Sequence, residues 1–373
     1  MKNLLNSMAD YKQRVIDTMQ TTDLSKIDIF STDDNFKKYK NIKSNLRYGQ
    51  RLKNIKLSIM IPVYKRTTYL QKAVTSALQQ KTGYRYEVVV VDNTVESDAI
   101  YDIVRNIEDE RLSYYKNEAN IGMFGNWNRC IELAGADYLS ILCDDDTLKE
   151  NFVEEMLNKL VVLDNCTAIT ANYEFIDENN QIISRTDESG IFYEMKSLFR
   201  WYRAYQMVFI ATIFSRKAAL DIGGFNEELF PGSDVAFAIK LNHLKQRCYH
   251  YFVCFAQYRI ASNESMNPVT QLKGIRFIKW FVNSLQKHLC LDGYYHELHR
   301  RELCLQEEKL RKEWFSSKED TYTDINMELG ISELNEYEKQ YYKRYTDFYM
   351  QRIPINSLNE LAYVGDLMLV SKE

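Results

Sequence analysis

Two short apolar runs constrain this chain most. Residues 57–63 read LSIMIPV and residues 86–92 read YEVVVVD, each near-continuously apolar and too short for a typical helix. Between them, Thr67–Gln80 places Leu70, Ala73, Val74, Ala77 and Leu78 at helical periodicity. The alternation continues with a helix from about Ser97, a strand LSYYK at 112–116, a helix from about Gly122 and a strand DYLSILC at 137–143. Strands and helices in turn, joined by short links, predict parallel βαβ units, and apolar strands without alternation predict a sheet buried on both faces. The expected class is α/β.

Outside this series the pattern changes. Residues 1–55 are polar and charge-mixed, with Leu4, Leu5, Met8, Tyr11, Val15 and Met19 at helical spacing, and they predict an N-terminal helical extension. Past Lys149, CTAITANYEFI and QIISRT flank DENN as a hairpin would, and VFIATIFS and YHYFVCFAQYRI read as further strands. From about Pro268 the chain turns helical and charged. The predicted layout is an extension over 1–55, an α/β core over 56–262 and a helical region over 263–373.

Composition narrows the function classes. Only 13 Gly and 4 Pro among 373 residues, with ordinary apolar content, exclude collagen-like and disordered chains. A formal net charge of −4 offers no basic footprint for nucleic acid. No run of about 18 apolar residues exists to span a bilayer, and the charged N-terminus lacks a signal core, so a cytoplasmic protein is expected. The seven Cys form no CxxC pair, which favours reduced thiols over a disulfide frame or a zinc site. Tyr is abundant, at 27 residues, and suits a core, an interface or a sugar platform equally.

In an open parallel sheet, ligands bind beyond the carboxyl ends of the strands. Three polar clusters fall there: Pro62-Val63-Tyr64-Lys65-Arg66, Asp92-Asn93-Thr94 and Asp144-Asp145-Asp146. Three consecutive carboxylates repel one another unless a cation or water screens them. Oxygen ligands without a His or Cys pair suit Mn²⁺ or Mg²⁺, and the competing reading is a solvated helix N-terminus. Asp92 reads either as a turn cap or as an acceptor for a nucleobase N–H or a ribose hydroxyl. No GxGxxG follows the first strand and no GxxxxGK[ST] occurs, so a glycine loop for phosphate is not indicated.

Taken together, IPVYKRTTYLQKAVTSALQQ, VVVVDNT and NEANIGMFGNWNRCIELAGADYLSILCDDDTL resemble the nucleotide-binding half of family 2 glycosyltransferases of the GT-A fold, and GGFNEELFPGSDVAFAIKL is similar to that family's acceptor-side segment. The resemblance covers roughly residues 56–262. It implies an inverting, metal-dependent enzyme of bacterial surface-glycan assembly. Such an enzyme moves a hexosyl or N-acetylhexosaminyl group from a nucleotide sugar, by family default a UDP-sugar, to a glycan, lipid-linked or protein-linked acceptor.

Residue by residue, the resemblance implies that Pro62, Val63, Tyr64 and Asp92 line the nucleoside pocket. Asn120, Gly122 and Asn128 shape its floor near ribose and diphosphate, and Asp144 adjoins the donor. Aligned without a gap, Cys143 stands at the first Asp of the family's Asp-x-Asp metal motif, leaving Asp145 with Asp146 as metal ligands; a second frame uses Asp144 and Asp146. Asp234 matches the family's general base. Ser233 stands where Glu is common and Ala261 where His is common, and with Cys143 these departures keep open a degenerate binding or scaffold subunit. A nucleotidyltransferase of similar fold is the other alternative.

Some residues read without the resemblance. Trp127 suits either the core or stacking on a ligand, and His243 and His250 read as structural. Cys143 reads as a packed strand residue. Residues 273–287 place Phe277, Trp280, Phe281 and Leu285 on one helical side among Lys and Arg. That pattern fits peripheral contact with an anionic membrane face, packing on the core, or contact with a second copy in a homo-oligomer.

Overall fold

The structure is a computed structural model that describes residues 28, 31–186, 188–194, 209–245, 247–261, 270, 274 and 277. It divides into two compact units: residues 30–227 with 233–261, and residues 1–29 with 228–232 and 262–373.

The first unit carries the sheet. In chain order its strands and α-helices are β1 (Ser44–Tyr48), β2 (Leu57–Val63), α1 (Leu70–Leu78), β3 (Tyr86–Asp92), α2 (Ala99–Arg105), β4 (Leu112–Asn117), α3 (Met123–Leu133) and β5 (Tyr138–Ile141). Then follow β6 (Thr147–Leu148), α4 (Phe152–Val161), β7 (Ala168–Ile176), β8 (Ile182–Arg185), β9 (Phe192–Glu194), β10 (Thr212–Ser215), α5 (Arg216–Asp221), α6 (Ser233–Lys245) and β11 (Cys248–Arg259). The strands run in the order β1-β4-β3-β2-β5-β10-β7-β11-β6, with β8 on β7 and β9 on β11. Strands β4, β3, β2 and β5 are mutually parallel, as the apolar runs predict.

Every residue of β2 and of β3 is buried, which accounts for their lack of alternation. Helix α1 buries the five residues picked out by periodicity, Leu70, Ala73, Val74, Ala77 and Leu78. Full burial of a Leu or Val side chain contributes about 1.5–3 kcal/mol, so this face anchors the helix even without a side-chain cap at its start. The predicted hairpin is present, β7 pairing antiparallel with β8.

One expectation is corrected. Residues 44–48 lie within the predicted helical extension, yet they form β1, an edge strand antiparallel to β4. Its side chains are mostly exposed, so it carries no apolar signature, and the backbone edge of β4 supplies its pairing. The helical reading of residues 1–27 lies outside the described residues.

In the second unit, the described residues include a buried Phe277, 2% exposed. Its ring abuts Gly232, where an added Cβ would lie 2.1 Å from Phe277 Cδ1. Phe277 is thus covered by protein, while Trp280, Phe281, Leu285 and the rest of the 273–287 reading apart from Gly274 lie outside the described residues. No helix among the described residues is long and apolar enough to cross a membrane.

Candidate active site

The strand order fixes where a ligand fits. From β2 the chain crosses to β3 and β4 on one side and later places β5 on the other, so the order reverses between β2 and β5. The crevice beyond the carboxyl ends at such a switch point is where open α/β sheets bind ligands. Two polar clusters flank it: Tyr64-Lys65-Arg66 after β2 and Asp144-Asp145-Asp146 after β5.

The turn after β2 directs Arg66 into this crevice. Lys65 adopts a left-handed backbone with φ of 61°, costly for a residue bearing a Cβ. Its N–H donates to Thr94 Oγ1 at 2.7 Å, and the Arg66 N–H donates to the Tyr64 carbonyl at 2.7 Å, closing the turn. The guanidinium then bridges two acids. Nε donates to Asp144 Oδ1 at 3.1 Å, Nη2 makes a close ion pair with the same oxygen, and Nη1 donates to Asp145 Oδ2 at 2.8 Å. Arg66 supplies within the chain part of the screening that three adjacent carboxylates require. Burial opposes its charge, but Asp144 and Asp145 outweigh burial and raise its pKa.

The acidic loop is held from its other side by β11. The Asp146 N–H donates to the Cys143 carbonyl at 3.2 Å, and Asp146 Oδ1 accepts the Arg259 N–H at 2.8 Å. Arg259 Nε donates to the Asp145 carbonyl at 2.7 Å. Asp144, Asp145 and Asp146 are all buried, at 5%, 4% and 2% exposure, which excludes the reading of a solvated helix terminus. Burial pushes Asp144 up to about 6 against the pull of Arg66, and burial with the neighbouring Asp145 raises Asp146 well above the carboxylate range.

Cys143 lies two residues beyond the end of β5 rather than within it. Ligand atoms of Cys143, Asp145 and Asp146 all lie within 4.8 Å of one another. Two carboxylates and a thiol at that spacing fit a divalent ion at bond lengths of about 2.0–2.6 Å, the carboxylates suiting Mn²⁺ or Mg²⁺. Arg66 stands on one of those carboxylates.

The residues expected to line a nucleoside pocket come from β2, β3 and the segment before α3. Pro62 and Val63 are buried in β2, paired with Val91 and Asp92, while Tyr64 is 44% exposed at the crevice mouth. Asp92 is fully buried: Oδ1 accepts the Thr94 N–H at 2.7 Å and Oδ2 accepts the Tyr114 hydroxyl at 2.6 Å. The turn cap is therefore made. Burial raises Asp92 despite both donors. Asn93 is the hub of the next layer. Its Nδ2 donates to Asn120 Oδ1 at 2.6 Å and to the Gly122 carbonyl at 3.2 Å, and its Oδ1 accepts from the Ile121 N–H at 3.0 Å and Asn117 Nδ2 at 3.1 Å. Gly122 sits at φ of 77°, where a Cβ is disfavoured, and starts α3.

Asn128 faces elsewhere. Its amide clamps the backbone of Phe225, Nδ2 donating to the carbonyl and Oδ1 accepting the N–H, both at 2.8 Å. Trp127 packs edge-on to Phe124, Phe209 and Phe225, so its place is the aromatic core. His250 is buried, hydrogen-bonded to Asn172 Oδ1 at 2.8 Å and pushed down to about 4 by burial, a structural histidine as read.

Asp234 lies in the first turn of α6, partly buried, with Oδ1 accepting the Val235 N–H at 2.8 Å. Burial pushes it up to about 6. Ser233 beside it is buried and its hydroxyl bonds to no described residue. Ala261 is partly buried and offers no ligand, and Ser262 and Asn263 lie outside the described residues.

Arg66 and Arg259 were not legible as partners of the acids. Arg66 stood in a polar cluster without a role, and Arg259 read only as the close of a strand. Asn93 stood in the second polar cluster without a role, and Tyr114 read only as a strand residue. The one signal available was the density of Asn between Asn93 and Asn128.

Residues 58–223 match the model of Glycosyl transferase family 2. Among curated relatives, the GalNAc(5)-diNAcBac-PP-undecaprenol beta-1,3-glucosyltransferase of Campylobacter jejuni is 25% identical over 221 residues, covering 57% of this chain and 67% of that protein. An uncharacterized glycosyltransferase of Haemophilus influenzae is 32% identical over 141 residues, 37% of this chain and 55% of that one, so the chain spans little more than half of that relative. Among solved structures, S. aureus TarS 1-349 in complex with UDP-GlcNAc superposes with a TM-score of 0.52 at 14% identity, covering 80% of this chain and 82% of that chain. The fold in common is that of GT-A glycosyltransferases. Over residues 58–223 the similarity is to glycosyltransferase family 2, and the curated relatives it matches are glycosyltransferases.

Proposed function

We propose that this chain is a family 2 glycosyltransferase that moves a sugar, with inversion, from a nucleoside-diphosphate donor, UDP being the carrier, to a hydroxyl of a glycan or lipid-linked acceptor. The observation that carries the reading is the buried acidic loop at the switch point, joined to Arg66 across the crevice. The Campylobacter relative's name specifies an acceptor on undecaprenol diphosphate, which favours a lipid-linked glycan over a protein acceptor and a setting at the cytoplasmic face of the membrane.

In the reaction, the acceptor oxygen bonds to the anomeric carbon as the carbon–oxygen bond to the diphosphate breaks, and the acceptor proton passes to a base. Asp145 and Asp146 would hold Mn²⁺ or Mg²⁺, which when bound supplies Lewis-acid stabilisation of the leaving diphosphate. Asp234 is the base we assign. A carboxyl raised to about 6 is ionised at neutral pH yet more basic than an exposed one, and general-base help of this kind contributes about 10²–10⁴-fold. Tyr64 offers an exposed ring at the crevice mouth for the nucleobase, with Pro62, Val63 and Asp92 as the wall beneath it. Asn120 and Gly122 form the adjoining edge, ordered by Asn93.

Incubation with a panel of nucleotide sugars and Mn²⁺, with and without undecaprenol-diphosphate glycans, should release free nucleoside diphosphate. Release of inorganic diphosphate instead identifies a nucleotidyltransferase. Ser233, whose buried hydroxyl bonds to no described residue where the family commonly has Glu, favours a second reading, a binding subunit without turnover. Donor binding without any nucleoside diphosphate release would establish it.

A further inference from the structure

The acids after β5 are buried, mutually repelling and already engaged by a cation of the chain itself. Arg66 uses Nε and Nη2 on Asp144 and Nη1 on Asp145 Oδ2. A guanidinium carries five N–H donors, so two remain, and the Arg66 side chain keeps 32% exposure toward the crevice. Asp145 cannot serve two cations alike. A divalent ion on Asp145 would stand beside the guanidinium, and like charges at that range in a buried site repel strongly. A diphosphate changes the balance, because its oxygens accept the same planar fork that the carboxylates accept now.

The second half of the geometry is the turn that carries Arg66. It is short and closed by its own hydrogen bonds, Lys65 N–H to Thr94 Oγ1 and Arg66 N–H to the Tyr64 carbonyl. The backbone of Arg66 is thereby fixed at the crevice while its side chain retains freedom to change partners. Asp146 differs: its carboxylate is bound to a main-chain N–H of β11 and cannot be displaced by a side-chain movement.

We infer that Arg66 is an exchangeable counter-ion of the acidic loop: it holds Asp144 and Asp145 when no donor is bound, excludes the divalent ion from Asp145, and passes to the donor diphosphate as that ion takes its place. Arg66 is then a positioning residue that makes metal uptake depend on the nucleotide. The inference rests on the metal and diphosphate reading of this site given above. No bond is made or broken in the exchange; one ion pair replaces another.

The test is Mn²⁺ uptake, read by the loss of the free-Mn²⁺ electron paramagnetic resonance signal, on the full chain with and without UDP. The wild type should bind Mn²⁺ weakly alone and about ten-fold more tightly with UDP, a coupling of ordinary size. Arg66→Met should bind Mn²⁺ alone about ten-fold more tightly than the wild type and lose the dependence on UDP. Arg66→Lys, which keeps the charge without the fork, should fall between them. Thermal melts of all three establish that they are folded, and an unfolded Arg66→Met leaves Arg66→Lys to carry the comparison. Mn²⁺ binding that is equal in wild type and variants overturns the role of Arg66 and leaves the metal reading standing. Absence of Mn²⁺ binding in every variant, with UDP present, overturns both.

Discussion

The main-chain N–H of Arg259 donates to Asp146 Oδ1 at 2.8 Å, and the guanidinium of the same residue donates to the Asp145 carbonyl at 2.7 Å. The last residue of β11 therefore fixes both the carboxylate and the backbone of the acidic loop. Arg259 is fully buried, reaches the Asp177 carbonyl at 2.7 Å and Asn180 Oδ1 at 2.8 Å, and lies over the Tyr69 ring. Arg259→Met would strand the Asp145 and Asp177 carbonyls and Asn180 Oδ1 at once, while the main-chain N–H stays on Asp146. It should lower stability by about 3 kcal/mol in urea unfolding and weaken donor binding in the folded protein, because the loop loses its side-chain anchor.

Asp234 gives two pH dependences of opposite sign. Its folded value of about 6 lies above the ordinary 3.8, so the folded state binds the proton more tightly than the unfolded state. The penalty for its charge is present above about 6, relieved as pH falls from there toward 3.8, and absent below. With Asp234 as the proposed base, turnover should fall on that same descent. Asp234→Asn should cost about 10²–10⁴-fold in kcat at pH 7 while leaving donor binding in place. It should also raise stability relative to wild type at pH 7, with the gap closing by pH 4. A variant near full activity would remove Asp234 from the mechanism.

Tyr114 bears on Asp92 in a comparable way. Its hydroxyl donates to Asp92 Oδ2 at 2.6 Å in a fully buried site, and this bond draws down a carboxyl that burial raises. Tyr114→Phe leaves that oxygen without its donor, which should cost about 1–3 kcal/mol at pH 7 and move the Asp92 pKa further up. Since the folded value already lies above the unfolded one, the loss should shrink as the solution is acidified. Urea titrations at pH 7 and pH 5 measure the difference.

The parallel half of the sheet was legible because β2 and β3 are buried on both faces and their sequences show nothing else. β1 was not, because an edge strand with exposed side chains needs only a free backbone edge as partner, and that edge belongs to β4. The acids at 144–146 were legible as a site because three carboxylates at a strand end demand a cation. Which cation was hidden: Arg66 is 78 residues away from Asp144 and Arg259 is 113 from Asp146, separations that sheet topology closes and no local pattern announces. Trp127 was ambiguous for a related reason, since an aromatic beside a predicted pocket reads alike whether it faces ligand or core.

Asn128 separates pocket from scaffold by experiment. Both polar atoms of its amide are spent on the Phe225 backbone, which stands in the aromatic core with its ring stacked 4.1 Å from Phe237 and edge-on to Trp127. Asn128→Asp keeps the acceptor for the Phe225 N–H but sets a carboxylate oxygen against the Phe225 carbonyl. If Asn128 touched the donor, this change would weaken nucleotide binding at unchanged stability. The clamp predicts the reverse: a loss of about 2–3 kcal/mol in urea unfolding, since an unpaired buried acceptor and a buried charge are both introduced. The tryptophan fluorescence should shift as the rings around Trp127 lose their register, while nucleotide affinity per folded molecule stays close to wild type.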